Sequence, residues 1–421
     1  MADPSGSYTF ADLILRVSTA AGIAYYGTTG QRRALIPVNN EYNFDLCKRI
    51  VNDGVKMFIA AAPYPSGWRW MRRLYELTFV ATEITGTVDS ATSTTLVDAT
   101  LTATYDANDD LNGYWVYDTT NNSYAQITDY TTATGTCTVA AWLTLDGVTG
   151  GTTPAATDTY IITDVQCVEG DKARYPLPDD FGRPVGKITY TKDSSRSFVG
   201  WADEGQLRRN KEVTEFDSYP AYASARAYRK RKWEIVFDPS PSYGDTVVIP
   251  YEIGFDELEL EGGLATSTSS TTLVNSSIAN LYPDNYFNGW IIYIIDYTGN
   301  GSYATVTDFT GSTGTYTVAA WLAVDGVTTG VTPAATSAYY VEESTAKHPA
   351  GWQFDNAVLS ACLAQAQIQI ENMKGDYLNK FTNLDLAAAQ LQDLRSAPLS
   401  LLKTSGDRGE YERRKSAVTY N

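Results

Sequence analysis

Histidine is almost missing from this sequence: His348 is the single one in 421 residues. A Ser-His-Asp or Cys-His relay needs an imidazole, and most zinc sites need two or more, so the commonest hydrolytic and metal chemistries start from almost nothing. Cysteine is sparse as well. Cys47, Cys137, Cys167 and Cys362 lie far apart with no CxxC pair, a pattern that argues against zinc and disulfides and for buried free thiols in a reducing compartment. No apolar run approaches the roughly 18 to 20 residues that span a bilayer, and Met1 to Tyr8 lacks the basic and apolar regions of a secretory leader. The expectation is a soluble, unsecreted protein with no cofactor, no metal and no enzymatic activity.

Lysine and arginine are absent from two long stretches. Residues 86–164 hold ten acids and residues 264–343 hold six, neither with a single base. Together these supply −16 of the formal −17, leaving 32 bases against 33 acids elsewhere. A segment without cations cannot neutralise phosphate, so these stretches should face solvent or a cationic partner and avoid nucleic acid.

The same two stretches are copies of one another. TCTVAAWLTLDG at 136–147 returns as TYTVAAWLAVDG at 315–326, and the tails GVTGGTTPAAT and GVTTGVTPAAT follow. TTLV at 94–97 and 271–274, NG at 112–113 and 288–289, and SYA at 123–125 and 302–304 extend the match backward. Two copies of this length read as a duplicated domain, because a solenoid would stack short units continuously. Thr, Tyr, Val and Ile alternate in short runs broken by Gly, Asn and Asp, which predicts short antiparallel strands in a small sandwich or barrel. Trp142 and Trp321 hold equivalent places, as core residues or as stacking platforms for a ligand. Asp106, Asp109 and Asp110 in DANDD offer the hard oxygens calcium uses, but the second copy has only LYPDNY there, which favours a solvated turn. Nothing in the spacing of these carboxylates fixes the pair a glycosidase needs.

The three remaining pieces have other patterns. Phe10, Leu13, Ile14, Val17, Ala20, Ala21 and Ala24 share a helical face behind the capping pair Thr9 and Asp12, and Phe44, Cys47, Val51, Val55, Phe58 and Ala62 share another. Trp68 and Trp70 then alternate with Arg69 ahead of Arg72 and Arg73, which reads as strand packing or, less simply, as an aromatic and basic nucleic-acid surface. Residues 165–263 read as strands limited by Pro176, Pro178, Pro239 and Pro241. Within them Arg226, Arg229, Lys230, Arg231 and Lys232 crowd into RAYRKRK, a solvated hairpin or a contact to DNA or an acidic partner. Helical sequence resumes after His348-Pro349, breaks at Gly375, and stops before Pro398. Residues 397–421 have little to bury and read as an arm that orders on a partner.

Three runs in this order, RYPLPDDFGRPVGKITY, KWEIVFDPSPSYGDTVVIPYEI and the terminal helices ending in LRSAP before a polar tail, resemble the head-to-tail adaptor (connector) proteins of tailed bacteriophages. The resemblance covers the three non-repeat pieces. It implies an α+β fold, a helical core with a small antiparallel β region, into which the two all-β copies are inserted. The discontinuous core would be residues 1–85, 165–263 and 344–396, the inserts 86–164 and 264–343, and the arm 397–421. It further implies a homo-oligomeric, dodecameric ring at the head-tail junction of the virion, made in the host cytoplasm. Helices near 9–26, 40–62 and 350–395 would build the ring, portal protein would sit above, and a tail or neck protein below. Genomic DNA would pass through without specific binding, and no membrane is involved. The arm would grip the portal through Arg408, Tyr411, Arg413, Arg414, Lys415 and Tyr420. An alternative function is a tail-associated receptor- or glycan-binding protein that uses the aromatic β copies.

Overall fold

The computed structural model describes residues 7–27, 33–63, 67–145, 147, 150–191, 198–213, 217–229, 232–343, 346–372 and 375–395. Its helices are α1 (Phe10–Ala20), α2 (Glu41–Ala60), α3 (Glu204–Val213), α4 (Asp355–Ile370), α5 (Asp376–Lys380) and α6 (Leu386–Arg395). The chain divides into two compact units, Met1–Met71 with Phe255–Asn421, and Arg72–Gly254.

In the first unit α1 starts where a capping box satisfies two orphan donors: Asp12 N–H donates to Thr9 Oγ1 at 3.1 Å and Thr9 N–H to Asp12 Oδ2 at 3.3 Å. Asn40 caps α2 in the same way, accepting from Asn43 N–H at 3.1 Å. Phe10, Leu13, Ile14 and Val17 of α1 and Phe44, Cys47, Val51, Val55 and Phe58 of α2 are buried. The small residues of α4, Ala357, Ala361, Cys362 and Ala364, let it come close to α2. At the closest point a Cβ on Gly54 would stand 2.5 Å from Cys362 Cα. Trp68 closes this core: its ring stacks on Phe58 at 4.8 Å, meets Phe354 edge-on at 5.9 Å, and its Nε1–H donates to Ile59 O at 3.1 Å. Packing into this helical core, rather than a strand or an exposed surface, accounts for that fully buried tryptophan.

The second unit places two four-stranded sheets about an aromatic core. Arg72–Thr78, Phe181–Pro184 and Thr189–Tyr190 all pair with Thr246–Ile253. In the other sheet Arg174–Pro176, Lys232–Asp238, Tyr222–Arg229 and Gly200–Trp201 lie in that order. Phe79, Tyr175 and Phe237 meet between them with centroids 4.9–5.9 Å apart, and Val80 N–H donates to Tyr175 Oη at 2.9 Å.

Each unit also carries one copy of the repeat, and both copies have the same topology. In the first the order is Glu83–Thr87, Thr159–Thr163, Trp115–Asp118, Ser123–Thr131, Thr136–Val139, Thr95–Val97 and Ser90–Thr92, with Leu143–Thr144 added to Ser123–Thr131. The second repeats it from Leu260–Leu264 through Ala338–Glu342, Ile291–Asp296, Ser302–Thr310, Thr315–Val318 and Thr272–Val274 to Ser267–Thr268. First and last strands are partners, Glu83 opposite Thr163 and Leu260 opposite Glu342. The two ends of each module therefore lie side by side, the geometry an inserted domain requires. Trp142 and Trp321 sit inside the two module cores at 3% exposure, which leaves neither ring a face for a ligand.

The expected helical core with a small β region is not what forms. The structure is mostly β, 34% strand against 24% helix, in two eight-stranded and two four-stranded sheets with a two-stranded ribbon. The physical reason lies in residues 72–78 and 165–263. Burial along Thr246–Ile253 alternates strictly from residue to residue while Lys232–Asp238 is buried along most of its length, so these strands bury apolar side chains that stacked sheets cover. Apart from α3, which lies against Tyr222–Arg229 and buries Leu207 in the second unit, the described helices cover the first unit's core.

Candidate functional site

The arm residues Arg408, Tyr411, Arg413, Arg414, Lys415 and Tyr420 lie outside the described residues, as do Lys230 and Arg231, and the side chain of Arg229. Arg226 lies on Tyr222–Arg229, and Lys232 opens the strand paired with it, Lys232–Asp238. Arg226 is committed within the chain: Nε–H donates to Glu234 Oε1 at 2.6 Å and Nη1–H to Glu204 Oε1 at 3.0 Å. Arg174 holds the other oxygen of the fully buried Glu234 at 2.9 Å. Lys232 pairs with Asp179 at 2.6 Å. The basic run is thus in part an internal ion network, in which a buried carboxylate is matched by two guanidinium groups.

The lone histidine does have a serine and an aspartate beside it. Ser7 Oγ lies 3.2 Å from His348 Nε2, Asp355 Oδ1 lies 2.7 Å from the same nitrogen, and Ser7 Oγ–H donates to Asp355 Oδ1 at 3.2 Å. A catalytic relay uses both ring nitrogens, one on the acid and the other on the hydroxyl. Here both partners meet one nitrogen, Nδ1 has none, and the ring is 1% exposed. The cluster fastens residue 7 to the start of α4. Burial pushes the free thiols up, Cys47 and Cys137 to about 12 and Cys167 to about 11, so they are poor nucleophiles. In DANDD the carboxylates are used locally: Asp110 accepts Ala107 N–H and Asp109 accepts the Asn112 amide. Among the described residues no group of three potential ligands is placed to hold a metal ion, and no helix is long and apolar enough to cross a membrane.

The site with the most developed geometry is an open cleft of about 550 Å³ in the first unit. One wall is α2, presenting Asp45, Lys48, Arg49, Asn52 and Asp53; the opposite wall is the segment from Glu257 to Glu261; the end is the turn of the second module that carries Tyr282, Tyr286, Phe287 and Trp290. The walls are pinned. Asn52 Nδ2–H donates to Leu258 O at 3.1 Å and Leu258 N–H returns to Asn52 Oδ1 at 2.9 Å, while Lys56 bonds Glu257.

At the end of the cleft, Phe287 is buried and packs edge-on against Trp290 at 5.0 Å and Phe309 at 4.8 Å. Trp290 is half-buried against the module core, and the exposed Tyr286 ring lies 6.0 Å from it and 4.9 Å from Tyr282, so the three rings form a partly exposed aromatic shelf. The tyrosines are oriented by carboxylates: Tyr282 Oη–H donates to Glu261 and Tyr286 Oη–H to Glu259. Burial and then the Glu261 carboxylate push the Tyr282 phenol well up. Five carboxylates line the cleft against two cations, and Lys48 is already paired with Asp45 at 2.8 Å. A second opening of about 350 Å³ shares Asp45, Lys48, Glu261 and Tyr282 and continues the cleft along α2.

None of the cleft residues stands out in the sequence by composition or motif. The signal that finds them is the difference between the two copies. Asn288-Gly289 matches Asn112-Gly113, with Gly289 N–H to Val306 O and Gly113 N–H to Ile127 O as equivalent bonds. Yet Tyr286 and Trp290 stand where the first copy has Asp110 and Tyr114. Tyr114 and Trp290 pack against their module cores alike, so Tyr286 in place of Asp110 is the difference that packing of the module does not require. No family model matches the chain, and no curated protein matches it in sequence.

Proposed function

We propose that the protein is a structural component of a tailed-phage particle, the ring-forming head-to-tail adaptor that docks under the portal and continues the DNA channel. The reading gives it no catalytic role. The observation that supports it most directly is how the runs resembling adaptors fold together. RYPLPDDFGRPVGKITY supplies Arg174–Pro176 and Phe181–Pro184, and KWEIVFDPSPSYGDTVVIPYEI supplies their partners Lys232–Asp238 and Thr246–Ile253. The turn between the first two strands ties the sheets together, because Asp180 accepts from Arg73 at 2.9 Å and Tyr251 at 2.8 Å while Asp179 holds Lys232. Runs far apart in the chain thus make one scaffold, as a subunit body needs.

A ring follows from one heterologous contact repeated until it closes, and many arms engaging a portal together add avidity. Outside the cation-free modules the charge is close to balanced, which suits a channel wall that must let DNA slide. The test is electron microscopy of the purified chain with and without portal. Closed rings seated on the portal are expected; a chain that stays monomeric in both conditions, or is found away from the genome-exit vertex in the particle, defeats the proposal.

A further inference from the structure

We infer that the cleft between α2 and residues 257–261 receives an arginine side chain presented on an extended segment of a partner protein.

The chemistry is selected by what the cleft offers. A planar cation gains from an aromatic face and from carboxylates that accept its N–H groups, and guanidinium does both at once. Tyr286 and Trp290 supply the faces. Glu259 and Glu261 are each oriented by a tyrosine hydroxyl that uses part of their acceptor capacity, leaving further lone pairs for a ligand. Asp45, Asp53 and Glu257 extend the negative lining. With Lys56 on Glu257 counted, an anionic ligand would enter against a two-charge excess of acid, and a lone ammonium would forgo the stacking surface. The continuation of the opening past Tyr282 toward Val38 and Phe44 suits a chain running along α2 more than a compact small molecule. Tyr286 is particular to this module, since the first copy has Asp110 there, whereas Trp290 matches the aromatic Tyr114.

The inference stands apart from the ring reading, because assembly is counted by microscopy and the cleft by affinity. The probe is an acetylated, amidated peptide with two arginines spaced by Gly-Ser, titrated into the full chain by calorimetry, beside the same peptide with citrulline, which keeps the shape and removes the charge. Binding by the arginine peptide that falls about tenfold or more with citrulline is expected, and the same loss with Glu259→Gln or Tyr286→Ala. Glu259 and Tyr286 are exposed, and the citrulline arm needs no variant, so a folding defect cannot mimic the result. Equal binding of the two peptides, no binding at millimolar concentration, or binding of a neutral oligosaccharide such as chitotriose in place of the arginine peptide would each overturn the assignment.

Discussion

Glu342 is the residue whose charge the fold suppresses most clearly. It is 6% exposed, its Oε2 has no partner, and burial raises its pKa to about 7 even though the Ala11 N–H lowers it. Because the folded pKa lies above the ordinary value near 4.3, the folded state holds the proton through that window. The contribution is complete below about pH 4.3 and disappears as pH rises through about 7. Thermal or urea unfolding of the chain should lose on the order of 2 kcal/mol between pH 5 and pH 8, and Glu342→Gln should flatten that slope. The first module has Thr163 in the equivalent place, bonded to Val165 O at 2.8 Å, so the titration belongs to one copy. Glu234 is the opposite case, a buried carboxylate fully matched by Arg174 and Arg226. Glu234→Ala should cost about 1–3 kcal/mol, because Arg174 and Arg226 lose a buried acceptor but keep Glu169 and Glu204, read as a lowered denaturant midpoint. Sequence alone showed Arg226 as one of a cluster of bases; that its charge is used internally depends on a residue eight positions away across a hairpin.

At the scale of elements α1, α2 and the break at Gly375 are legible in the sequence, whereas α3 falls in the stretch that reads as strands and the extent of the sheets is not legible. Thr9, Asp12 and the apolar steps of three and four mark α1, and the break at Gly375 marks where the terminal helix divides, since Gly375 is the N-cap of α5. Local pattern reports such signals directly. How α2 meets α4 is a pair property, and Gly54 decides it: a methyl there would overlap the backbone of Cys362. Gly54→Ala should therefore destabilise the chain by about 1–3 kcal/mol, against the roughly 1 kcal/mol that alanine gains over glycine in a helix. A rise in midpoint would mean the helices separate at no cost. Residues 165–263 read as strands only as a whole, and the pairing joins Arg72–Thr78 to Thr246–Ile253 across more than 160 residues, a register that no local pattern specifies.

For the whole molecule, deletion of residues 397–421 is the decisive change. Those residues follow the last described helix, α6, whose end is held by Asp393 accepting from Arg69 N–H at 3.1 Å and by Gln390 donating to Ala61 O at 3.2 Å. The truncated chain should keep the wild-type unfolding midpoint within about 0.5 kcal/mol, the range of changes remote from packed features. Portal docking, scored by microscopy or co-sedimentation, should be abolished. Docking that persists would remove the arm from the proposed mechanism. Outside the arm, the cation-free modules should leave salt-dependent DNA affinity weak, because their 16 acids have no base to set against phosphate.

Duplication, the confinement of the net negative charge to the two copies, helix starts and the scarcity of histidine followed from the chain of letters alone, because each is a property of identity or local spacing. The mostly β architecture, the internal use of Arg226 and Lys232, the one-nitrogen contact of His348 and the aromatic cleft were decided only by tertiary structure. The cleft brings together Asp45, Glu259 and Trp290, residues separated by up to about 245 positions, and only long-range packing sets such distances. The two copies make the division plain: nearly the same local sequence builds the same sheet twice, while the few positions that differ acquire meaning from what packs beside them.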